Sequence, residues 1–481
     1  MNVLGLAFNL MNPRRWARVD PRFLPFADLV SADLPLSRLL RLSLFQVSVG
    51  MSTALLLGTL NRVLIVELGV AAWIVAVMVA LPLLAAPFRA LVGFRSDTHR
   101  SFIGWRRVPF IWIGSMMQFG GLAIMPFALI LLSGDTHWPQ WIGPLSASLA
   151  FLVVGAGVQT VQTAGLALAT DLASEGHRAR VVAMMYTMLL LGLFVAGLVF
   201  SVLLTDFTKL RLIQVVQGSA FVAFALNVIA VWKQEPRQSA RTAPGIGPRP
   251  RFRQTWRAFA AQPGRVRFMV ALFTGTAAFS MQDIILEPYG AEVLGLSVSA
   301  TSLLTALMAS GSLAAFVASA RWLQRGGNPF RLAALGVLVG LVAFALVLFA
   351  EPLQSALVFR VGTFLIGFGS GLFAVTTLVA AMGLETTGLS GLAIGAWGAV
   401  QATAAGLAVA GGGVMRDLFS AMATTGGLGE VLASAGVGYG VVYYIELILL
   451  FMTLVAVGPL VQIARATSTT GQKFGLAQIP G

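Results

Sequence analysis

Two carboxylates four residues apart, Asp283 and Glu287, stand in an otherwise apolar run from Phe268 to Leu296. On a helix this spacing puts both on one face. At membrane depth an acid costs about 2.5–3.5 kcal/mol on insertion scales, so it faces a cavity or a partner charge. The chemistry open to such groups is pairing with a cation or taking up a proton. Gln282 precedes them and Pro288-Tyr289-Gly290 follows. Pro288 is expected to interrupt the helix, since it lacks a donor and crowds the preceding turn. Asn61-Arg62, with Glu67 beyond, holds the corresponding place near the far end of the first apolar span. Amide matches amide and cation matches anion, which predicts a cluster of Asn61, Arg62, Glu67, Gln282, Asp283, Glu287 and Tyr289 between two related halves. Arg62 is expected to pair with Asp283 or Glu287.

The elements that position these residues must be membrane helices. Of 481 residues 57% are hydrophobic and only 10% charged, more apolar surface than a soluble chain of this length needs. No cysteine is present, which excludes disulfides, thiolate metal sites and thiol catalysis. A net charge of +14 would suit nucleic acid in a soluble protein; in a membrane protein the arginines act as topology signals. The apolar start, Val3 to Met11, precedes its arginines instead of following them, so no cleavable signal peptide is expected.

Residues 1–42 read as a basic arm broken by Pro13, Pro21, Pro25 and Pro35, lying in the membrane plane or in the cytoplasm. Six spans follow near 43–66, 71–92, 108–132, 144–169, 180–204 and 212–232, making an N-terminal bundle over 43–232. A basic, proline-bearing linker occupies 233–267. Six more spans lie near 268–290, 298–320, 332–350, 355–382, 389–412 and 439–463, giving a C-terminal bundle over 268–464 and a short tail over 465–481. With the spans alternating from a cytoplasmic start, 27 of the 32 lysines and arginines fall inside and 5 outside, which places both termini in the cytoplasm. The expected fold class is all-α and polytopic, with 12 helices in two six-helix bundles. This plan resembles the major facilitator superfamily, whose halves enclose a midplane cavity.

Other motifs have both a structural and a functional reading. After the second span, Gly93, Arg95, Asp97, Arg106 and Arg107 resemble that superfamily's cytoplasmic signature, in which an acid and arginines latch one conformation; plain positive-inside charge is the alternative. The spacing from Asp97 to Gly104 is longer than usual, and the matching loop, Arg321 to Pro329, lacks the acid. Gln159 and Gln162 lie at helical spacing after Gly155 and Gly157, as cavity wall or interhelix bond. Trp397 and Gln401, four apart, offer a flat ligand an aromatic plate beside an amide. Asp171, Glu175, Arg178 and Arg180 read as an ordinary charged turn, and Glu446 as a further membrane acid. His99, His137 and His177 all fall in expected loops. No phosphate loop, metal-ligand cluster or nucleophile–base constellation is visible, so neither a catalytic residue nor a protein metal site is expected.

Four stretches together carry a narrower resemblance: Gly58 to Leu68, Ala86 to Asp97, Gln282 to Gly290 and Gly395 to Gly406. With them the chain resembles the PucC/LhaA light-harvesting assembly proteins, over about residues 35–465. The arm with Pro25-Phe26-Ala27-Asp28 and the loop Ser133 to His137 resemble the LhaA type, which serves the core antenna (LH1). The resemblance implies a photosynthetic bacterium, residence in its inner or intracytoplasmic membrane, and bacteriochlorophyll as bound pigment. It implies LH1 α and β antenna polypeptides as partners, alongside bacteriochlorophyll synthase and a membrane insertase. The residues by themselves leave open a proton-coupled secondary transporter of a small organic solute.

Overall fold

The computed structural model describes residues 35–84, 105–133, 141–173, 178–235, 264–383, 390–425 and 436–468, with a few isolated residues between them. The arm up to residue 34, most of the linker, and the tail from residue 469 lie outside the described residues. Every regular element described is a helix. In order they are α1 (Leu36–Glu67), α2 (Ala72–Leu84), α3 (Val108–Leu132), α4 (Ile142–Leu172), α5 (Arg178–Leu203) and α6 (Lys209–Val231). Then come α7 (Arg265–Ile284, continued by Leu286–Glu292), α8 (Val298–Gln324), α9 (Pro329–Ala350), α10 (Ala356–Gly383), α11 (Ser390–Thr424) and α12 (Gly436–Ser468). Ten are long and apolar enough to cross a membrane, and the bent α7 pair makes eleven. The described part of α2 has 13 residues, about 20 Å at helical rise, short of a ~30 Å hydrocarbon core. The count of twelve crossings therefore remains an expectation, while the multi-pass helical architecture is plain.

Helix ends obey local chemistry where the sequence supplies it. Thr208 Oγ1 accepts from Arg211 N at 3.1 Å, and Ser297 Oγ from Ala300 N at 3.3 Å. Asn328 Oδ1 accepts from Phe330 N at 2.9 Å, with Pro329 at the first position where its missing N–H costs nothing. α1 starts at Leu36, earlier than position 43, because Pro35 ends the arm and Ser43 makes only a local turn. Arg38 then bonds Gln234, just past α6, through Nη2 to its carbonyl at 2.6 Å. That contact sets the start of α1 and the end of α6 at one end of the molecule, the end that meets the linker.

The break in α7 lies upstream of its proline. Met281–Ile284 is a 3₁₀ turn, the chain bends by 40°, and Pro288 sits in the first turn of the following helix. A proline ring crowds the carbonyl four residues back, which is that of Ile284, so strain falls on the 3₁₀ turn while Pro288 itself is tolerated. α1 is unusual in another way: Ala54–Leu60 and Val63–Glu67 wind as wide π turns on either side of Asn61-Arg62. Such turns are rare and cluster at functional positions.

Small residues decide how closely the helices pack. Cβ atoms built at Gly155 and Gly157 would strike Pro82 Cβ at 2.3 Å and Gln118 N at 2.5 Å, so α4 lies directly against α2 and α3. On α10, a Cβ at Gly367 would lie 1.9 Å from the Met308 carbonyl oxygen of α8, and one at Gly369 2.8 Å from that of Gly336 on α9. The α10 glycines are thus consumed by backbone-to-backbone packing. The outward faces carry large apolar residues such as Phe127, Val202, Phe221 and Val455, as contact with lipid requires.

Backbone atoms cannot yield as flexible side chains do. Gly367→Ala should therefore lower the thermal unfolding temperature markedly, the overpacking costing about 1–3 kcal/mol or more. Gly398→Ala, where nothing lies within 4 Å, should leave it unchanged. Equal melting of the two variants in a thermal-shift series would contradict this account.

Candidate functional site

The two halves meet through α2 against α11 and α5 against α8, with the far parts of α1 and α7 between these pairs. Among the described residues, the polar contacts named below that join them fall at the ends farthest from the linker. Asn61, fully buried, donates to the carbonyls of Asp283 at 3.2 Å and Ile284 at 3.0 Å, oxygens belonging to the 3₁₀ turn of α7. Thr59 and Ser302 hydroxyls lie 3.2 Å apart, as do those of Ser201 and Ser299. Glu287 accepts from Thr305 Oγ1 at 2.7 Å, and its carboxylate overlies Gly58, where a Cβ would come within 2.7 Å of Oε1. Gly58 thus makes room on α1 for an acid carried by α7.

Arg62 departs from the expected pairing. Its guanidinium bonds Glu67 through Nη1 and donates through Nη2 to the Leu296 carbonyl at 3.3 Å. Residues five apart diverge around an α-helix but converge on a π turn, so the widened winding of α1 supplies its own counterion. Arg62 still ties the halves, through a carbonyl instead of a carboxylate. Glu287 lies within its electrostatic reach but is not bonded to it. Tyr289 makes no bond to Arg62, Asp283 or Glu287. It is buried among Phe359, Tyr439 and Tyr443, with ring centroids 5.4–5.6 Å away, and its hydroxyl donates to the Val347 carbonyl at 3.3 Å.

A second group of contacts closes the same end. Arg416 on α11 donates to Glu292 at 2.6 Å, Asp417 at 2.8 Å and the Tyr439 hydroxyl at 2.8 Å, with its guanidinium 4.7 Å from the Tyr439 ring centre. The other Asp417 oxygen accepts from Trp73 N at 2.8 Å, capping α2 from across the interface. Glu292 and Tyr439 were not singled out in the sequence; four charged or phenolic groups gathered from three helices leave no linear spacing to find.

Below this closed end lies a cavity of about 210 Å³, lined from α5, α7, α8, α10 and α11. Gln282, Asp283 and Gln401 line it, with Ser280, Thr305 and Ser312. Gln282 Nε2 donates to Asp283 Oδ1, while its own oxygen is buried without a partner. Gln159, Gln162 and Trp397 do not line this cavity. Gln159 keeps a buried, unpartnered oxygen on α4, and Trp397 donates to Thr377 Oγ1 at 3.2 Å. Gln401 thus faces this cavity, while Trp397 packs and bonds toward α10.

At the linker end, Arg106 and Arg107 bond Asp171 on α4 at 2.9 and 3.0 Å. Glu235, just past α6, accepts from the backbone N–H groups of Arg106, Arg107 and Val108 and so caps α3. Arg107 also donates to Ser96 at 2.6 Å. These contacts join elements of the first half only, so the arginines fasten α3, α4 and α6 together. Asp171, read as part of an ordinary turn, is their counterion. Gly93, Arg95 and Asp97 lie outside the described residues.

Residues 59–465 match the sequence profile described as PUCC protein. The chain belongs to the PUCC family. This PUCC-family chain is 54% identical over 412 residues to Protein PucC of Rhodovulum sulfidophilum, covering 85% of this chain and 91% of that one. It is 29% identical over 390 residues to the Bacteriochlorophyll synthase 44.5 kDa chain of Rhodobacter capsulatus, covering 77% and 85%. In fold it resembles a bacterial homologue of the iron transporter ferroportin in an inward-facing state, with TM-score 0.64, 13% identity, and 89% and 99% of the two chains covered. The PUCC-family chain thus has the major facilitator fold.

Two measurements check this geometry. With no native cysteine, a Thr59→Cys/Ser302→Cys pair should oxidise readily to a disulfide between the halves, seen as altered mobility on a denaturing gel after protease cuts the linker. Failure to cross-link would place the two ends apart. In double-mutant cycles of thermal stability, Arg62→Ala and Glu67→Ala should be coupled, whereas Arg62→Ala and Asp283→Asn should add within about 0.5 kcal/mol. The opposite ranking would restore the direct interbundle ion pair.

Proposed function

We propose that this chain is an assembly factor for a bacterial light-harvesting antenna, receiving bacteriochlorophyll and assisting its insertion into antenna polypeptides, the α and β chains of LH1. The observation that carries this reading is the family match over residues 59–465, with half-identity to a protein named PucC. The relative named as a bacteriochlorophyll synthase chain supports bacteriochlorophyll synthase as a neighbour in delivery, beside a membrane insertase. The protein acts as a carrier and scaffold, not as an enzyme. The excess of arginine on one side supports both termini in the cytoplasm, and the family match supports residence in the photosynthetic inner membrane.

The cavity constrains how such a pigment is held. At about 210 Å³ it is smaller than the roughly 300–1,000 Å³ of pockets that enclose drug-sized ligands, so this cavity does not enclose a whole tetrapyrrole. The pigment instead docks from the lipid with its tail left in the bilayer, and only a polar edge reaches the Gln282, Asp283 and Gln401 wall. These side chains supply oxygen, which suits a magnesium-bearing head. The α10 glycines are filled by packing and provide no entry seam. The small cavity with its acid also favours a second reading, a proton-coupled transporter of a small organic solute.

Pigment analysis of gently solubilised protein separates the two. Bacteriochlorophyll and antenna polypeptides should co-purify, and Gln401→Leu should reduce pigment several-fold at unchanged protein abundance. Replacing His99, His137 and His177 together with Gln should leave pigment recovery largely intact, since the sequence places all three in loops between the apolar spans. Pigment-free protein that takes up solute in vesicles under a pH gradient would favour the transporter instead.

A further inference from the structure

Glu446 of α12 is fully buried, and neither carboxyl oxygen has a hydrogen-bond partner. Its surroundings supply no compensating charge. From α7, the Gln282 backbone N–H points toward it without reaching hydrogen-bond geometry, and the Asp283 carboxylate acts on it as a like charge. From its own helix the neighbour is Tyr443, also buried with its hydroxyl unpartnered. The cation on α11, Arg416, is taken by Glu292, Asp417 and Tyr439. No charged group of α9 acts on it. A third carboxylate, Glu287, lies one turn beyond Asp283 with one buried oxygen unpartnered. Its nearest cation, Arg62, is bonded to Glu67.

An isolated carboxylate in low dielectric is far costlier than a neutral carboxylic acid. Two like charges in reach of one another add to that cost and cannot readily both be ionised. A metal ion could also neutralise the group, but among the described residues no three acidic or imidazole side chains gather closely enough to hold one. Asp283 differs from Glu446 in one respect: it lines the cavity, and Gln282 donates to it. The pair therefore consists of one acid sealed in the protein and one at the cavity wall.

We propose that Glu446 is a proton-binding site, holding a proton that it exchanges with Asp283 at the cavity wall. The two carboxyls are not hydrogen-bonded to each other here, so a water from the cavity bridges the transfer: it takes the Glu446 proton and gives one of its own to an Asp283 oxygen. The negative charge thus moves from Asp283 to Glu446 and the water is regenerated. The same 3₁₀ turn that carries Asp283 accepts the two Asn61 bonds from the opposite half. Proton occupancy is thereby placed where the halves are joined. The proposal makes no assumption about the cargo.

Infrared spectroscopy of the full-length protein in lipid nanodiscs tests it. At neutral pH a carboxylic-acid carbonyl band should be present, shift in heavy water, and move on labelling with isotopic glutamate. It should vanish in Glu446→Gln and survive in Glu287→Gln. Asp283→Asn should keep the band while slowing its exchange with heavy water. A spectrum with no glutamate-derived acid band would overturn the proposal, as would a band unaffected by Glu446→Gln. If Glu446→Gln does not fold, loss of the band in Glu287→Gln would overturn it by assigning the proton to Glu287. Stabilisation of the wild type by sodium over choline chloride, absent in Glu446→Gln, would replace the proton with a metal cation.

Discussion

The hydrocarbon core offers no water to a polar group, and most features of this protein follow from that restriction. Backbone groups are satisfied within helices, and each buried side chain must find its partner inside the protein. Where α7 gives up regular winding, the oxygens of Asp283 and Ile284 are taken up by Asn61 from the other half. Where α2 begins, a free N–H of its first turn is taken up by Asp417, again from the other half. The halves are therefore joined by the need to satisfy broken helix ends. Removing one half would leave the other with unpaired backbone groups in lipid.

This requirement also explains the asymmetry of the molecule. Asn61, Thr59, Ser201, Arg62 and Asp417 all join the halves at the end away from the linker. At the linker end, the described contacts of Arg106, Arg107, Glu235 and Arg38 stay within the first half. A cavity that lies below the closed end is reached from the other side or through lipid.

The acids show a division of labour set by surroundings. Glu67 is partly exposed and simply balances Arg62, while Glu292 and Asp417 share Arg416 at the closed end. Glu287 is held by a hydroxyl beneath a glycine, Asp283 faces the cavity, and Glu446 has no compensating charge. The first three compensate cations and keep some exposure, where charge is cheaper; Glu287 and Glu446 are buried, where it is not.

Apolar runs of helical length, broken by basic segments, dictate a multi-pass bundle before any contact forms, because an apolar run that long has no stable place in water. The spacing of Asp283 and Glu287 and their likeness to Asn61-Arg62 marked where the halves meet, and Gln401 could be placed on a cavity wall by its type and depth. Partnership was not legible. Arg62 turned to Glu67 because α1 widens into π turns, a winding that no residue pattern announces. Tyr289 went into an aromatic core, and Asp171 and Glu235 became the anchors of α3, because helices distant in sequence brought them there. Hydrophobicity and charge act through the identity of each residue and can be read one position at a time. Hydrogen bonds and ion pairs depend on distances of a few ångströms between elements, and only the packed structure fixes those.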